Sequence, residues 1–207
     1  MSQDLYVFKT FSPQIGITFN QYLLTGKEPL LVHTGSFEQA KKLLLEINKI
    51  LCGQSIAYVF VSHFESDECG GLQVIREAFP KVQTICSAVT ARQLSGFGIK
   101  LDALVQAPDS TLQSDSWDLR FIAYPSEAHL WEGLLAFEQQ QGILFSSDLF
   151  IRRGNDEQSV TSTLAAEVAT ISDRQVPHPA GMESLKQSLA ALPVKLIAPG
   201  HGPCVKL

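Results

Sequence analysis

The chain has 207 residues, 45% of them hydrophobic and 18% charged, with a formal net charge of −5. That length suits one domain, so residues 1–207 are expected to fold as a single unit with a sizeable core. An acidic chain without clustered Lys and Arg is not expected to bind nucleic acid, and without 18 consecutive apolar residues it is not expected to span a membrane.

Residues 1–16 lack the basic start and apolar run of a secretory signal. Cys52, Cys69, Cys86 and Cys204 form no CxxC pair, which argues against a zinc ribbon or a thioredoxin-like motif. They read as reduced thiols of a cytoplasmic protein.

Strands are predicted over residues 5–11, 17–24 and 29–33, with Gly26–Lys27 at the centre of a hairpin turn. Ala40, Leu43, Leu44, Ile47, Ile50 and Leu51 recur at helical spacing, which predicts a helix over 37–51 with Ser36 as N-cap and Gly53 just past its end. The continuous apolar run 56–61 predicts a buried strand. Residues 72–79 and 87–94 read as helices and 82–86 as a strand. Strands follow at 103–106, 119–124, 134–138 and 142–146, helices at 161–174 and 182–192, and a last buried strand at 194–198. The polar stretch 152–159 reads as a surface loop. This alternation predicts an α/β fold with a two-sheet core covered by helices.

The densest polar cluster follows the run at 56–61 and reads SHFESDECGG. In an extended segment every second side chain points the same way, so His63, Glu65 and Asp67 would converge above the sheet. Gly70 and Gly71 would then allow a sharp turn into the next helix. Glu68 adds a third carboxylate, and carboxylates packed so closely call for cations. Taken alone, the segment reads equally as a solvated acidic turn opening a helix. Three further residues follow the same placement. His129 lies in a loop between predicted strands, while Asp148 and His201 each follow an apolar strand, His201 between Gly200 and Gly202. Ligands gathered from loops at strand ends are how α/β proteins tend to build sites.

In this order, His63-x-Glu65-x-Asp67-Glu68, His129, Asp148 and His201 resemble the metallo-β-lactamase superfamily. The resemblance runs from the opening hairpin to the closing PGHGP. It implies an αββα sandwich, two mixed sheets flanked by helices. Hydrolytic members resemble His-x-His-x-Asp-His at the first motif; Glu65 in place of the second His is similar to the flavodiiron proteins and related oxygen-binding di-iron proteins. The resemblance would give His63, Glu65 and His129 to one metal, Asp67 and His201 to the other, and Asp148 as the bridge. Two positions depart from it. Glu68 stands where the family has His, leaving open a second metal bound by a carboxylate, bound weakly or absent. His33, in LLVHTGS, stands where many members have Asp; it either orients a ligand, binds a metal or is a satisfied histidine at a strand end. His178, between two prolines, reads as a loop residue.

Four carboxylates, Glu65, Asp67, Glu68 and Asp148, would balance two divalent ions, giving a near-neutral site poorly suited to acidifying water. Imidazole with carboxylate and no thiolate favours iron, with zinc or manganese compatible. Cys69 and Cys204 adjoin the ligand runs and are open as redox-active thiols. The resemblance thus implies two metal ions and a non-haem di-iron protein that binds, reduces or senses dioxygen or a related small molecule. With no flavin domain in the chain, electrons would come from a separate donor protein, and a homodimer is open. The alternatives are a dinuclear metal-dependent hydrolase of a thioester, lactone or phosphodiester, and a partner-binding scaffold with a degenerate site.

Overall fold

The computed structural model describes residues 4–125, 133–155 and 158–207. The chain divides into two compact units, one of residues 1–10, 19–106 and 113–116, the other of 11–18, 107–112 and 117–207.

The first unit is organised on a six-stranded sheet in the order β1 (Leu5–Ser12), β2 (Ile17–Leu24), β3 (Leu30–Val32), β4 (Tyr58–Phe60), β5 (Gln83–Ser87), β6 (Ala103–Gln106). β2 and β3 are antiparallel, joined through Gly26 at φ +136, whereas β3 to β6 run parallel. Parallel strands need crossovers, and helices supply them. Helix α1 (Phe37–Leu51) buries Ala40, Leu43, Ile47 and Leu51 on one face, as the spacing predicts. Its N-terminus is closed by Gln39, whose side chain accepts from the Ser36 N–H at 2.8 Å. Helices α2 (Ser66–Cys69) and α3 (Leu72–Ala78) link β4 to β5, and α4 (Ala88–Gly96) links β5 to β6. Leu43, Ile47, Val59, Leu72 and Ile75 form the core of this unit with Leu23 and Leu31.

The second unit carries a seven-stranded sheet in the order β11 (Val160–Thr161), β13 (Val205–Lys206), β12 (Leu196–Pro199), β10 (Ile143–Ser147), β9 (Gly133–Glu138), β8 (Asp118–Tyr124), β7 (Thr111–Gln113). β8, β9 and β10 form an antiparallel meander, and β10 pairs with β12 in parallel. Helices α5 (Leu164–Ala169) and α6 (Pro179–Ala190) cover the sheet through Val168, Leu185 and Leu189, which pack with Phe137, Leu144 and Ile197.

The fold class is the expected one: α/β, with two mixed sheets flanked by helices. Three details differ. The helix predicted over 161–174 is confined to Leu164–Ala169, because Thr161 pairs with Lys206 and Thr163 becomes the N-cap, accepting from the Ala166 N–H at 3.2 Å. Helix α6 begins earlier than expected, at Pro179, since His178 caps it by accepting from the Gly181 N–H at 3.0 Å. That gives the loop histidine a defined structural task. The short strands β7, β11 and β13 carry too few residues for alternation to register. No helix among the described residues is long and apolar enough to cross a membrane.

Candidate metal centre

In the first unit, the chain leaves β4 and bends at His63 and Phe64, with Val61, Ser62 and His63 all buried. From Glu65 onward the geometry departs from the alternation expected. Glu65 is the N-cap of α2, and Asp67 and Glu68 lie in that short helix. The two carboxylates are therefore placed by a helical turn, not by strand alternation. His63 Nε2 lies 3.2 Å from a Glu65 oxygen and 3.8 Å from a Glu68 oxygen. One oxygen each of Asp67 and Glu68 lie within 4.8 Å. Glu68 is only 1% exposed, whereas the Glu65 side chain is largely in solvent.

The β3–α1 turn holds this segment in place. Thr34 N–H donates to the Glu68 carbonyl at 2.8 Å, and Gly71 N–H donates to the Gly35 carbonyl at 2.8 Å and to Thr34 Oγ1 at 3.1 Å. Gly70 and Gly71 form the turn expected of them, joining α2 to α3, but not through positive φ. Both have negative φ, −61 and −90. A Cβ on Gly70 would run into the Ser66 carbonyl of α2 itself, and one on Gly71 into the Ala40 side chain, so Gly70 permits the tight turn and Gly71 the close approach to α1.

Cys69 packs into the core, and its S–H donates to the Glu65 carbonyl at 3.1 Å. Burial, helped by the neighbouring Glu68 charge, pushes this thiol up to about 12, and burial alone does the same for Cys86. A thiol held neutral is neither a good ligand nor a reactive nucleophile. Among the described residues all four cysteines are free thiols, as expected, and only Cys52 is exposed.

His33 directly follows β3 with φ 62, in the left-handed region that Asn, Asp and His tolerate better than other side chains. Its N–H donates to the Phe60 carbonyl at 2.9 Å and its ring stacks on Phe60. Its Nε2 lies 2.9 Å from Ser62 Oγ, which lies 3.0 Å from His63 Nδ1. Ser62 was missed in the sequence. Its one signal is its place between a buried strand and a candidate ligand, where a fully buried hydroxyl needs a partner.

In the second unit, Asp148 and His201 follow the C-terminal ends of β10 and β12, which are adjacent and parallel, with Ser147 opposite Pro199 across a bulge. That adjacency brings His201 Nε2 to 3.1 Å from Asp148 Oδ1. Ser147 and Phe150, on either side of Asp148, have φ 50 and 65. Non-glycine residues in that region cost on the order of 1–3 kcal/mol each and persist where surrounding structure enforces them. The Gly200 N–H donating to the Ser147 carbonyl at 2.7 Å is one such restraint. Gly202, at φ +87, lets the backbone pass Arg152, whose carbonyl would stand 2.6 Å from an added Cβ. His129 lies outside the described residues.

The donor chemistry of the first unit fits a metal ion. A buried carboxylate beside a second carboxylate is unfavourable without compensating positive charge. Glu68 and Asp67 are such a pair, with the His63 imidazole beside them. The donors are imidazole nitrogen and carboxylate oxygen, the set suited to iron, manganese or zinc.

The family model for "ODP family beta lactamase" matches residues 17–202. A "Putative diflavin flavoprotein A 1" from Nostoc sp. (strain PCC 7120) is 28% identical over 95% of this chain and 35% of its own length. The "Anaerobic nitric oxide reductase flavorubredoxin" of Vibrio vulnificus is 23% identical over 90% of this chain and 40% of its own length. The chain thus spans about a third of the curated relatives it matches. Among solved structures, a flavodiiron protein from Giardia intestinalis superposes with a TM-score of 0.80 at 17% identity, covering 100% of this chain and 56% of its own. A fragment of a putative diflavin flavoprotein A 5 from Nostoc sp. PCC 7120 gives 0.79 at 20% identity, covering 100% and 91%. These likenesses establish the shared fold.

Proposed function

This chain belongs to the ODP family of beta lactamases, and from that membership we propose that it is a non-haem di-iron protein acting on dioxygen, nitric oxide or a related small molecule. The proposed ligands are His63, Glu65 and His129 for one ion and Asp67, Glu68 and His201 for the other, with Asp148 bridging. The supporting observation is the carboxylate content of the first unit. Glu65 lies 3.2 Å from the His63 ring nitrogen, and the buried Glu68 oxygen lies 3.8 Å from the same atom. Carboxylates in such number favour a cation that can gain charge on oxidation over one that must acidify a bound water. Bound iron would supply redox chemistry toward a small molecule. The chain's own contribution is to hold His63 by a buried hydrogen bond to Ser62 and to keep thiols out of the ligand set.

The relatives' names, diflavin flavoprotein and flavorubredoxin, support a flavin-bearing electron donor for this chain. A cytoplasmic location accords with that chemistry. The test is to load the protein with iron, reduce it without air, and admit dioxygen or nitric oxide while following gas consumption. Beside it, zinc-loaded protein is offered thioester, lactone and phosphodiester substrates. Gas consumption by the iron form with at most weak hydrolysis is expected. Rapid hydrolysis with zinc and no gas consumption would replace this proposal with the hydrolase.

A further inference from the structure

His33, Ser62 and His63 form a buried chain of hydrogen bonds, with each side chain held. The distances are 2.9 Å from His33 Nε2 to Ser62 Oγ and 3.0 Å from Ser62 Oγ to His63 Nδ1. His33 is 3% exposed, Ser62 0% and His63 4%, so bulk water does not compete for these contacts. His33 itself is fixed from three sides: by its backbone N–H on the Phe60 carbonyl, by its ring against Phe60, and by a left-handed backbone at φ 62 that the fold maintains. From this geometry we infer that His33 is a positioning residue, which acts through the Ser62 hydroxyl to fix the tautomer and ring orientation of His63 for metal binding.

The inference rests on the proposed metal centre and goes beyond it by assigning a tautomer to each of the two rings. A neutral imidazole has one N–H and one bare nitrogen, and only the bare nitrogen can hold a metal. His63 Nε2 is the nitrogen that faces Glu65 and Glu68. For it to be bare, Nδ1 must carry the hydrogen and donate to Ser62 Oγ. A hydroxyl so engaged as acceptor has its single hydrogen to give, and His33 Nε2 stands 2.9 Å away to receive it. His33 then carries its hydrogen on Nδ1. No group changes charge in this arrangement. Groups that hold the far nitrogen of a ligating histidine typically affect metal affinity by 10–100-fold.

The wild-type chain, labelled with 15N and loaded with Zn(II) as a diamagnetic probe, gives the direct test. Long-range 1H–15N spectra should show His63 with Nδ1–H and a metal-shifted Nε2, and His33 with Nδ1–H and a bare Nε2. Zn(II) affinity measured by chelator competition supplies the second readout. His33→Asn keeps a residue that tolerates positive φ but is too short to reach Ser62, and Ser62→Ala removes the hydroxyl. Each should weaken binding by about 10–100-fold. The double variant should be no weaker than the weaker single, because both act through one chain. Ser62→Thr, which keeps the hydroxyl, should bind within about threefold of wild type. A hydrogen on Nε2 of His33 in the loaded protein, or additive losses in the double variant, would overturn the positioning role and leave the metal centre standing. Failure of the wild-type chain to take up Zn(II) would remove the metal centre and this role with it.

Discussion

Replacing Gly202, Gly71 and Gly98 one at a time with alanine separates the two reasons a fold can require glycine. Gly98 has φ +83 with nothing within 4 Å of an added Cβ, so only backbone strain opposes a side chain there. Left-handed backbone costs about 1–2 kcal/mol for an ordinary residue. Gly71 has φ −90, so strain is absent; its added Cβ would meet the Ala40 side chain and two carbonyl oxygens, Gly35 and Thr34, each at 3.1 Å. Overpacking of this kind costs about 1–3 kcal/mol, and the upper end applies where the opposing atoms are backbone. Gly202 combines both, with φ +87 and the Arg152 carbonyl at 2.6 Å, for about 4 kcal/mol. In a chain of this size 1 kcal/mol moves the melting temperature by roughly 2–4 °C. Melts followed by circular dichroism in chelator should therefore fall by about 2–8 °C for Gly98→Ala, about 6–12 °C for Gly71→Ala and about 8–16 °C for Gly202→Ala. If Gly202→Ala melted with Gly98→Ala, the close approach to Arg152 would carry no weight and the reasoning would fail.

Four further outcomes are expected. Glu138 is fully buried and its carboxylate accepts from the N–H groups of Asp118, Gln140 and Gln141 at 3.2, 3.3 and 2.7 Å. Glu138→Ala should cost about 2–4 kcal/mol in urea unfolding, and a loss below about 0.5 would contradict the role given to those contacts. Of the four thiols, Cys52 should react first with a thiol reagent at neutral pH, with Cys69 and Cys86 reacting only on unfolding. Those two release protons from about pH 9 when unfolded but near 12 when folded, so between these values the native chain binds more protons and stability falls as pH rises. A melting temperature that rises over this range would invert the sign. Asp148→Ala should lose more bound metal than Glu68→Ala, since a bridging carboxylate screens two cations from each other; full occupancy in Asp148→Ala would end the bridging role.

The sequence carried the elements that bury much apolar surface. Helix α1 runs over the predicted Phe37–Leu51 because Ala40, Leu43, Ile47 and Leu51 fall on one face. β6 likewise matches its prediction, at Ala103–Gln106. Elements decided by a few contacts stayed hidden, such as β13, which exists because Val205 and Lys206 pair with Ile197 and Leu196. At the candidate site the residue types were legible and their local geometry was not. Asp67 was expected in an extended run with His63 and Glu65, but the alternative of an acidic turn opening a helix is the local geometry found, with Asp67 and Glu68 in the first turn of α2, held by the Thr34 and Gly35 contacts. Ser62 shows why: its part depends on His33, 29 positions away, a distance that no local pattern reports.

Metal content tests the central proposal most directly. The purified chain, stripped of metal and reconstituted without air in the presence of equal iron and zinc, is analysed for both elements against protein concentration. About two ions per chain, with iron exceeding zinc, are expected from a ligand set of imidazole and excess carboxylate. Stoichiometric zinc without iron would contradict the iron assignment, and no retained metal of either kind would contradict the metal centre itself.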